Sequence, residues 1–257
     1  MVSEIAIVDR RTRVAELLST KGFASLAELT HSLGVSESTI RRDLEVLEEQ
    51  GVVRRTHGGA VFVQDSSGHR LAFADRETTA LAEKQAIGGA VAGLIAENET
   101  VIINGGTTCC EVARALRGRR LNVITNSVPI ASVLSTELAT EVTFVGGYIY
   151  PRTGVALGQM AEQMLADLHA SRLILSCAGL TEEGAFNANQ MMVDVERGMM
   201  GIADEVILVA DHTKFGMRAV VKLCDLDEVG VIVTDDGVDD ESRSWLGALK
   251  AKVVYAG

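Results

Sequence analysis

The sequence predicts a two-part α/β protein: a small N-terminal winged helix-turn-helix domain, then a larger C-terminal domain on a mostly parallel sheet. Three observations point there. Residues 1–60 are dense in charge, with short helical periods closed by glycines. From about residue 80, apolar strand runs alternate with longer helical stretches, the pattern of a parallel sheet covered on both faces. Between them FVQDSSGHRLAFADRETT is polar and aperiodic, so 61–79 reads as a linker between domains 1–60 and 80–257.

In the head, Arg10 to Lys21 fits a helix with Val14, Leu17 and Leu18 on one side, stopped by Gly22. Ser25 followed by Glu28 is a capping-box pattern that opens a short helix through Leu33. Gly34-Val35 makes a turn. Ser36 caps a third helix, which runs to about Gln50 and ends at Gly51. VVRRTHGGAV then reads as a short hairpin with Gly58-Gly59 at its bend.

At about 100° per residue, the third helix puts Ile40, Leu44 and Leu47 on one stripe. Ser38, Arg41, Arg42 and Glu45 fall opposite. Arginines can pair with guanine edges, and short hydroxyls suit phosphates or bases, so this face suits a major groove. Arg54, Arg55 and His57 on the hairpin are placed to meet phosphates, as a wing would.

In the body, the expected strands are Thr100–Ile103, Asn122–Thr125, Val142–Val145, Arg172–Cys177, Glu205–Ala210 and Val229–Thr234. The expected helices are Leu81–Ala96, Cys109–Leu116, Ile130–Leu138, Met160–His169, Met192–Ala203 and Glu241–Leu249. Loops that follow parallel strands gather on one edge, where ligands bind. Asn104-Gly105-Gly106-Thr107-Thr108 leads from a strand into a helix, whose first N–H groups favour an anion. It is neither a Walker loop nor a dinucleotide fingerprint. A glycine turn with threonine caps is the equally weighted plain alternative. Thr125-Asn126-Ser127, Gly146-Gly147 and Asp211-His212-Thr213-Lys214 end further strands. Lys84 either adds a positive charge or is a solvated helix lysine.

Other candidate chemistry is thin. His169 reads as a helix C-terminal cap. Asp194 and Glu196 read as a solvated face, and Asp235-Asp236 as a turn and helix start. The cysteines, Cys109, Cys110, Cys177 and Cys224, have no metal spacing and read as reduced thiols, with a redox role for Cys109-Cys110 as the minority reading. No metal and no cofactor is expected.

The net charge is −11. Residues 1–60 hold eight Lys/Arg against nine Asp/Glu, a balance of −1, which leaves −10 to the remainder. The acidic body should keep non-specific DNA binding weak. No apolar stretch is long enough to span a membrane and no export signal is recognisable, so a cytoplasmic location is expected.

GVSESTIRRDLEVLEEQGVVRRTHGGA resembles, over nearly its whole length, the signature segment of the DeoR family of bacterial transcriptional regulators. There this segment is recognition helix and wing. The resemblance implies that Ser36, Ser38, Thr39, Arg41, Arg42, Arg54, Arg55, His57 and Gly58 face a double-stranded DNA operator. The pieces EK-x-x-I, GTT, TNS, GG and D-x-x-KFG follow in the order of the family's sensor domain. That domain is similar to ribose-5-phosphate isomerase and typically binds a phosphorylated sugar or polyol. The implied effector residues are Lys84, Asn104, Gly105, Gly106, Thr107, Thr108, Thr125, Asn126, Ser127, Gly146, Gly147, Asp211 and Lys214. The family commonly carries an acid ahead of Gly-Thr-Thr, and here Asn104 stands instead. The expectation is a homo-oligomeric repressor, dimer or tetramer, of a carbohydrate-utilisation operon, with no catalytic residues. The alternative is an isomerase-like enzyme with a DNA-binding head.

Overall fold

The computed structural model describes residues 10–11, 13–15, 17–18, 23–49, 52–56, 58–62 and 73–257. The chain divides into two compact units, 1–76 and 77–257.

In the first unit, residues 10, 11, 13–15, 17 and 18 are helical; Lys21 and Gly22, where that helix was expected to end, lie outside the described residues. β1 (Phe23–Ser25) leads into α1 (Leu26–Leu33). The expected capping box is present: Ser25 Oγ accepts from Glu28 N–H at 3.2 Å, and Ser25 N–H donates to Glu28 Oε2 at 2.8 Å. Gly34 ends α1 in the left-handed region, φ 65°. α2 (Glu37–Glu49) follows, then the hairpin β2 (Val53–Thr56) and β3 (Gly59–Phe62).

The sheet order is β1-β3-β2, antiparallel throughout. β1 was not expected, because three residues carry no readable period. Gly59 makes its pairing possible: a Cβ there would lie 2.2 Å from Ala24 O. Ile40, Leu44 and Leu47 are at most 1% exposed and close a core with Val14, Leu18 and Leu29. Each such side chain stabilises the head by about 1.5–3 kcal/mol. Asp43, also on α2, is buried too; Arg10 Nε meets it at 2.6 Å and Arg11 Nε at 3.1 Å.

The stretch expected as a linker is partly regular. β3 continues to Phe62 because strands flank it on both sides, and α3 covers Phe73–Thr78; residues 63–72 lie outside the described residues.

The second unit is built on seven parallel strands in the order β15-β14-β12-β9-β4-β5-β6. These are β4 (Thr100–Ile103), β5 (Leu121–Thr125), β6 (Thr140–Phe144), β9 (Ala170–Ser176), β12 (Ala203–Val209), β14 (Val231–Asp235) and β15 (Lys252–Ala256). The apolar runs marked six of them. The helices are α4 (Leu81–Ala92), α5 (Thr107–Ala115), α6 (Val128–Leu134), α7 (Gln159–Leu165), α8 (Gln190–Gly201) and α9 (Asp240–Leu246). Five of them start one or two residues before the sequence pattern suggests; at three of these, the N-caps Ser127, Asn189 and Asp239 set the start.

The chain grows outward from β4 through β5 and β6, then returns to place β9 on β4's other side. Strand order therefore reverses between β4 and β9, and the carboxyl ends of such a pair are where open α/β sheets bind ligands. Two short antiparallel excursions were not expected: β7 (Tyr148–Tyr150) with β8 (Val155–Leu157), and β10 (Gly179–Thr181) with β11 (Gly184–Asn187) and β13 (Val221–Cys224). Among the described residues no helix is long and apolar enough to cross a membrane, and no cluster of His, Cys, Asp and Glu could hold a metal ion.

Candidate functional site

In the first unit, α2 turns its apolar stripe inward and leaves Ser36, Ser38, Arg41 and Arg42 exposed, with Thr39 half-buried. The Ser36 hydroxyl lies 2.9 Å from Ser38 Oγ and 2.8 Å from Thr39 Oγ1, and accepts from Thr39 N–H at 3.3 Å. It organises the helix start. Arg41 Nη2 pairs with Glu37 Oε1 at 2.7 Å. Arg42 is in no ion pair among the described residues.

Arg55, expected to meet a phosphate, is engaged internally. Its Nε lies 2.7 Å from Glu48 Oε2 and its Nη1 2.8 Å from Glu45 Oε1. The Glu48 hydrogen bond, then that of Glu45, raises the guanidinium's pKa; the Arg55 backbone and side-chain donors lower that of Glu48. The pairs are exposed, so a phosphate could exchange with them at small cost. Arg54 lies on β2 opposite Val61, and Gly58 is exposed at the hairpin turn. His57 lies outside the described residues.

In the second unit, direct contacts gather the turns after β4, β5 and β9. Asn104, Thr107 and Thr108 are buried, as are Thr125, Asn126 and Ser127. Gly106 has φ 122°, and a Cβ there would lie 2.4 Å from Ser176 Oγ. Ser176 Oγ in turn donates to Gly105 O at 2.8 Å. A Cβ on Gly105 would overlap Val155 and lie 3.8 Å from that of Ser127. Both glycines are therefore required by close approach. Thr125 Oγ1 donates to Ile103 O at 2.7 Å and accepts from Ser127 N–H at 3.1 Å. Asn126 Nδ2 donates to Ala156 O at 2.9 Å, and its buried Oδ1 has no hydrogen-bond partner.

Gly147 serves the packing of β8: a Cβ there would lie 2.7 Å from Leu157 O; Gly146 meets no neighbour within 4 Å. Asp211 is fully buried and caps the turn His212–Lys214 by accepting from Thr213 N–H at 3.1 Å. Lys214 Nζ lies 3.9 Å from Asp211 Oδ2. Lys84 is not a solvated lysine: it is 2% exposed, and Nζ donates to Thr79 O at 2.5 Å.

Three further residues differ from expectation. Glu196 does not share with Asp194 the solvated face that their sequence context predicts: α8 turns it inward, 3% exposed, while Asp194 stays out. Its Oε1 accepts from Asn187 Nδ2 at 2.7 Å and Asn104 Nδ2 at 3.3 Å. Burial pushes its pKa up to about 8. The spacing Val193–Glu196–Met199 puts it on the buried stripe, a signal that was readable. Asp235 does not start a helix: it ends β14, buried, and accepts from His212 Nδ1 at 2.7 Å and His212 N–H at 2.7 Å. His169 is exposed beside Asp204, 3.0 Å away, and caps no helix. All four cysteines are buried and none is in a disulfide; burial raises the pKa of the Cys109 thiol, which opposes a redox role. A concavity of about 820 Å³ lies at the opposite, amino edge, lined by residues such as Arg197, Asp204, Lys222 and Gly230.

Residues 10–66 match the DeoR-like helix-turn-helix domain, and residues 79–236 the DeoR C terminal sensor domain. The chain is 37% identical to the transcriptional repressor AccR of Agrobacterium fabrum, over 96% of this chain and 97% of that one. It is 35% identical to the transcriptional repressor CsqR of Escherichia coli, over 91% and 90%. The glycerol-3-phosphate regulon repressor of Escherichia coli is 32% identical, over 88% and 90%. A solved ribose 5-phosphate isomerase from Methanocaldococcus jannaschii aligns with 53% of this chain and 55% of its own, at 12% identity and a TM-score of 0.39. The chain belongs to the DeoR family of transcriptional regulators.

Proposed function

We propose that this regulator is a repressor of carbohydrate-utilisation genes, released from its operator when the body binds a phosphorylated sugar or polyol. It acts in the cytoplasm, as a homo-oligomer, and turns nothing over. In this reading α2 enters the major groove with Ser36, Ser38, Thr39, Arg41 and Arg42, and Arg54, Arg55, His57 and Gly58 form the wing. One helix-turn-helix reads only a few base pairs, so two heads are needed for a specific site.

The observation that carries the effector reading is the Gly105–Thr108 turn, which opens α5 where strand order reverses. A phosphate there would take the free amides, with Asn104, Thr107, Thr108, Thr125, Asn126 and Ser127 around its sugar. Lys84, Gly146, Gly147, Asp211 and Lys214 belong to the same set as supporting positions. One relative's name refers to glycerol-3-phosphate, which fits this ligand class. A hundredfold preference of the effector for the DNA-incompetent state lowers operator affinity by up to about 2.7 kcal/mol.

The test is binding to DNA upstream of the chain's own gene, at fixed salt, with sugar phosphates and their unphosphorylated parents. Release by one phosphate and not by its parent is expected. DNA binding that ignores every phosphate overturns the effector assignment.

A further inference from the structure

One buried acid in the body is half satisfied. Asn187 and Asn104 both donate to Glu196 Oε1, while Oε2 is buried with no hydrogen-bond partner. Asn187 is held in place, because Ala188 N–H donates to its Oδ1 at 3.0 Å. Leaving a buried polar atom unpaired is costly, so such an atom calls for a partner.

Asn104 sets where this carboxyl lies. It follows β4 directly, ahead of Gly105-Gly106-Thr107-Thr108. There α5, nine residues long, opens on Gly106 with no side-chain cap. Its first amides are free donors for an anion.

An ionised carboxylate at that helix start would repel an anion. A protonated one would attract it, because O–H donates. Burial favours the protonated form up to about pH 8, against the two amide hydrogen bonds. The charged neighbours do not reverse this. Arg197, next on α8, donates to Lys222 O and Leu223 O on β13. Lys222 pairs with Asp225, and Arg172 on β9 with Glu99 and Glu205, the last on β12. Cys109 on α5 and Cys224 on β13 are thiols that burial keeps neutral. Asp194 is exposed and accepts from Gln190. Glu162 on α7 is exposed.

We propose that Glu196 acts in the effector site as a neutral carboxylic acid whose Oε2–H donates to the effector's phosphate, so that effector binding requires the proton to stay on Glu196. This rests on the reading that the Gly105–Thr108 turn holds the anion. Only the protonated fraction is then competent, and affinity scales with it.

The probes are ribose 5-phosphate and inorganic phosphate, titrated calorimetrically into the full chain from pH 7 to pH 9. The pH slope and proton uptake are read with ribose 5-phosphate, whose second ionisation lies at about 6, so its charge is nearly constant there. The expected result is a weakening of about tenfold between pH 7 and pH 9. At pH 8.5, two buffers of different ionisation enthalpy should show more than about half a proton taken up per ligand. Glu196→Gln cannot ionise and should flatten the pH profile. Binding that Thr107→Val with Thr108→Val abolishes, but with the same pH slope in Glu196→Gln and no proton uptake, overturns the role of Glu196 alone. No binding by either probe at any pH overturns the anion reading and this proposal together.

Discussion

Arg55 on β2 and Glu48 on α2 are joined twice: the Arg55 backbone N–H and its Nε each lie 2.7 Å from a Glu48 oxygen, one on each. β2 is thereby pinned to α2, the helix proposed to read the operator, and the Arg55 charge is spent inside the head. Glu48→Gln removes the opposing charge and keeps a hydrogen-bonding group. DNA affinity should rise several-fold on operator and non-operator sequences alike. The salt slope should steepen by up to about one unit, the signature of an added phosphate contact. An unchanged slope would exclude Arg55 from the phosphate-facing set.

Arg41 and Arg42 share the exposed side of α2 but differ in their partners. Arg41 must leave Glu37 to reach a base, whereas Arg42 is in no ion pair among the described residues. Each arginine→alanine change should weaken operator binding by about 1–3 kcal/mol, with Arg42→Ala the larger loss. Effector binding should be untouched. Operator titrations that match the parent in both variants would move the reading face elsewhere.

Asp43 sits on the inward side of the same helix and holds Arg10 and Arg11. Asp43→Asn keeps the shape but leaves both guanidiniums short of a counter-charge. A loss of about 1–3 kcal/mol in the head is expected. Amide exchange of α2 in the full chain measures it without interference from the body. Exchange rates equal to those of the parent would show that the three residues do not fasten the head.

The same contrast explains what the sequence made legible. Ile40, Leu44 and Leu47 announce a helix face by spacing alone, and apolar runs mark six of the seven parallel strands. Strands of three residues such as β1, β7 and β10 escape, because no period can establish itself over three positions, and the partner of β1 is also distant in the chain. At the site, the Gly105–Thr108 turn was readable because glycine and threonine there have local causes. The burial of Glu196 is legible in its helical spacing, but its contact with Asn104, 92 positions away in the chain, is not. The same holds for Asp235, whose partner His212 is 23 positions back.

Thr107 and Thr108 open α5 and are buried beside the turn. Replacing both with valine keeps their volume and removes two hydroxyl donors. Operator binding should persist, while release by the effector should fall at least tenfold in sensitivity, the order of two lost hydrogen bonds to a charged group. Operator release curves with the active sugar phosphate test this. A full response at the parent's concentration would place the phosphate on another loop.

Glu196 also makes the body's stability depend on pH, with or without ligand. Burial holds its folded pKa at about 8, above the 4.5 of a solvated glutamate. The folded state therefore binds a proton that the unfolded state has released between those values. Stability is complete below pH 4.5 and is lost as pH rises toward 8. The loss is on the order of 1.4 kcal/mol per pH unit inside that window, several kcal/mol in all. Glu196→Gln has no such proton, so its stability should exceed the parent's by a growing margin from pH 6 to pH 8. The single tryptophan, Trp245, packs 5.8 Å from the Phe215 ring inside the body, so its fluorescence reports that unit's denaturation. Parallel pH profiles for parent and variant would mean that Glu196 is ionised in the folded chain, and that a cation or a water chain compensates it.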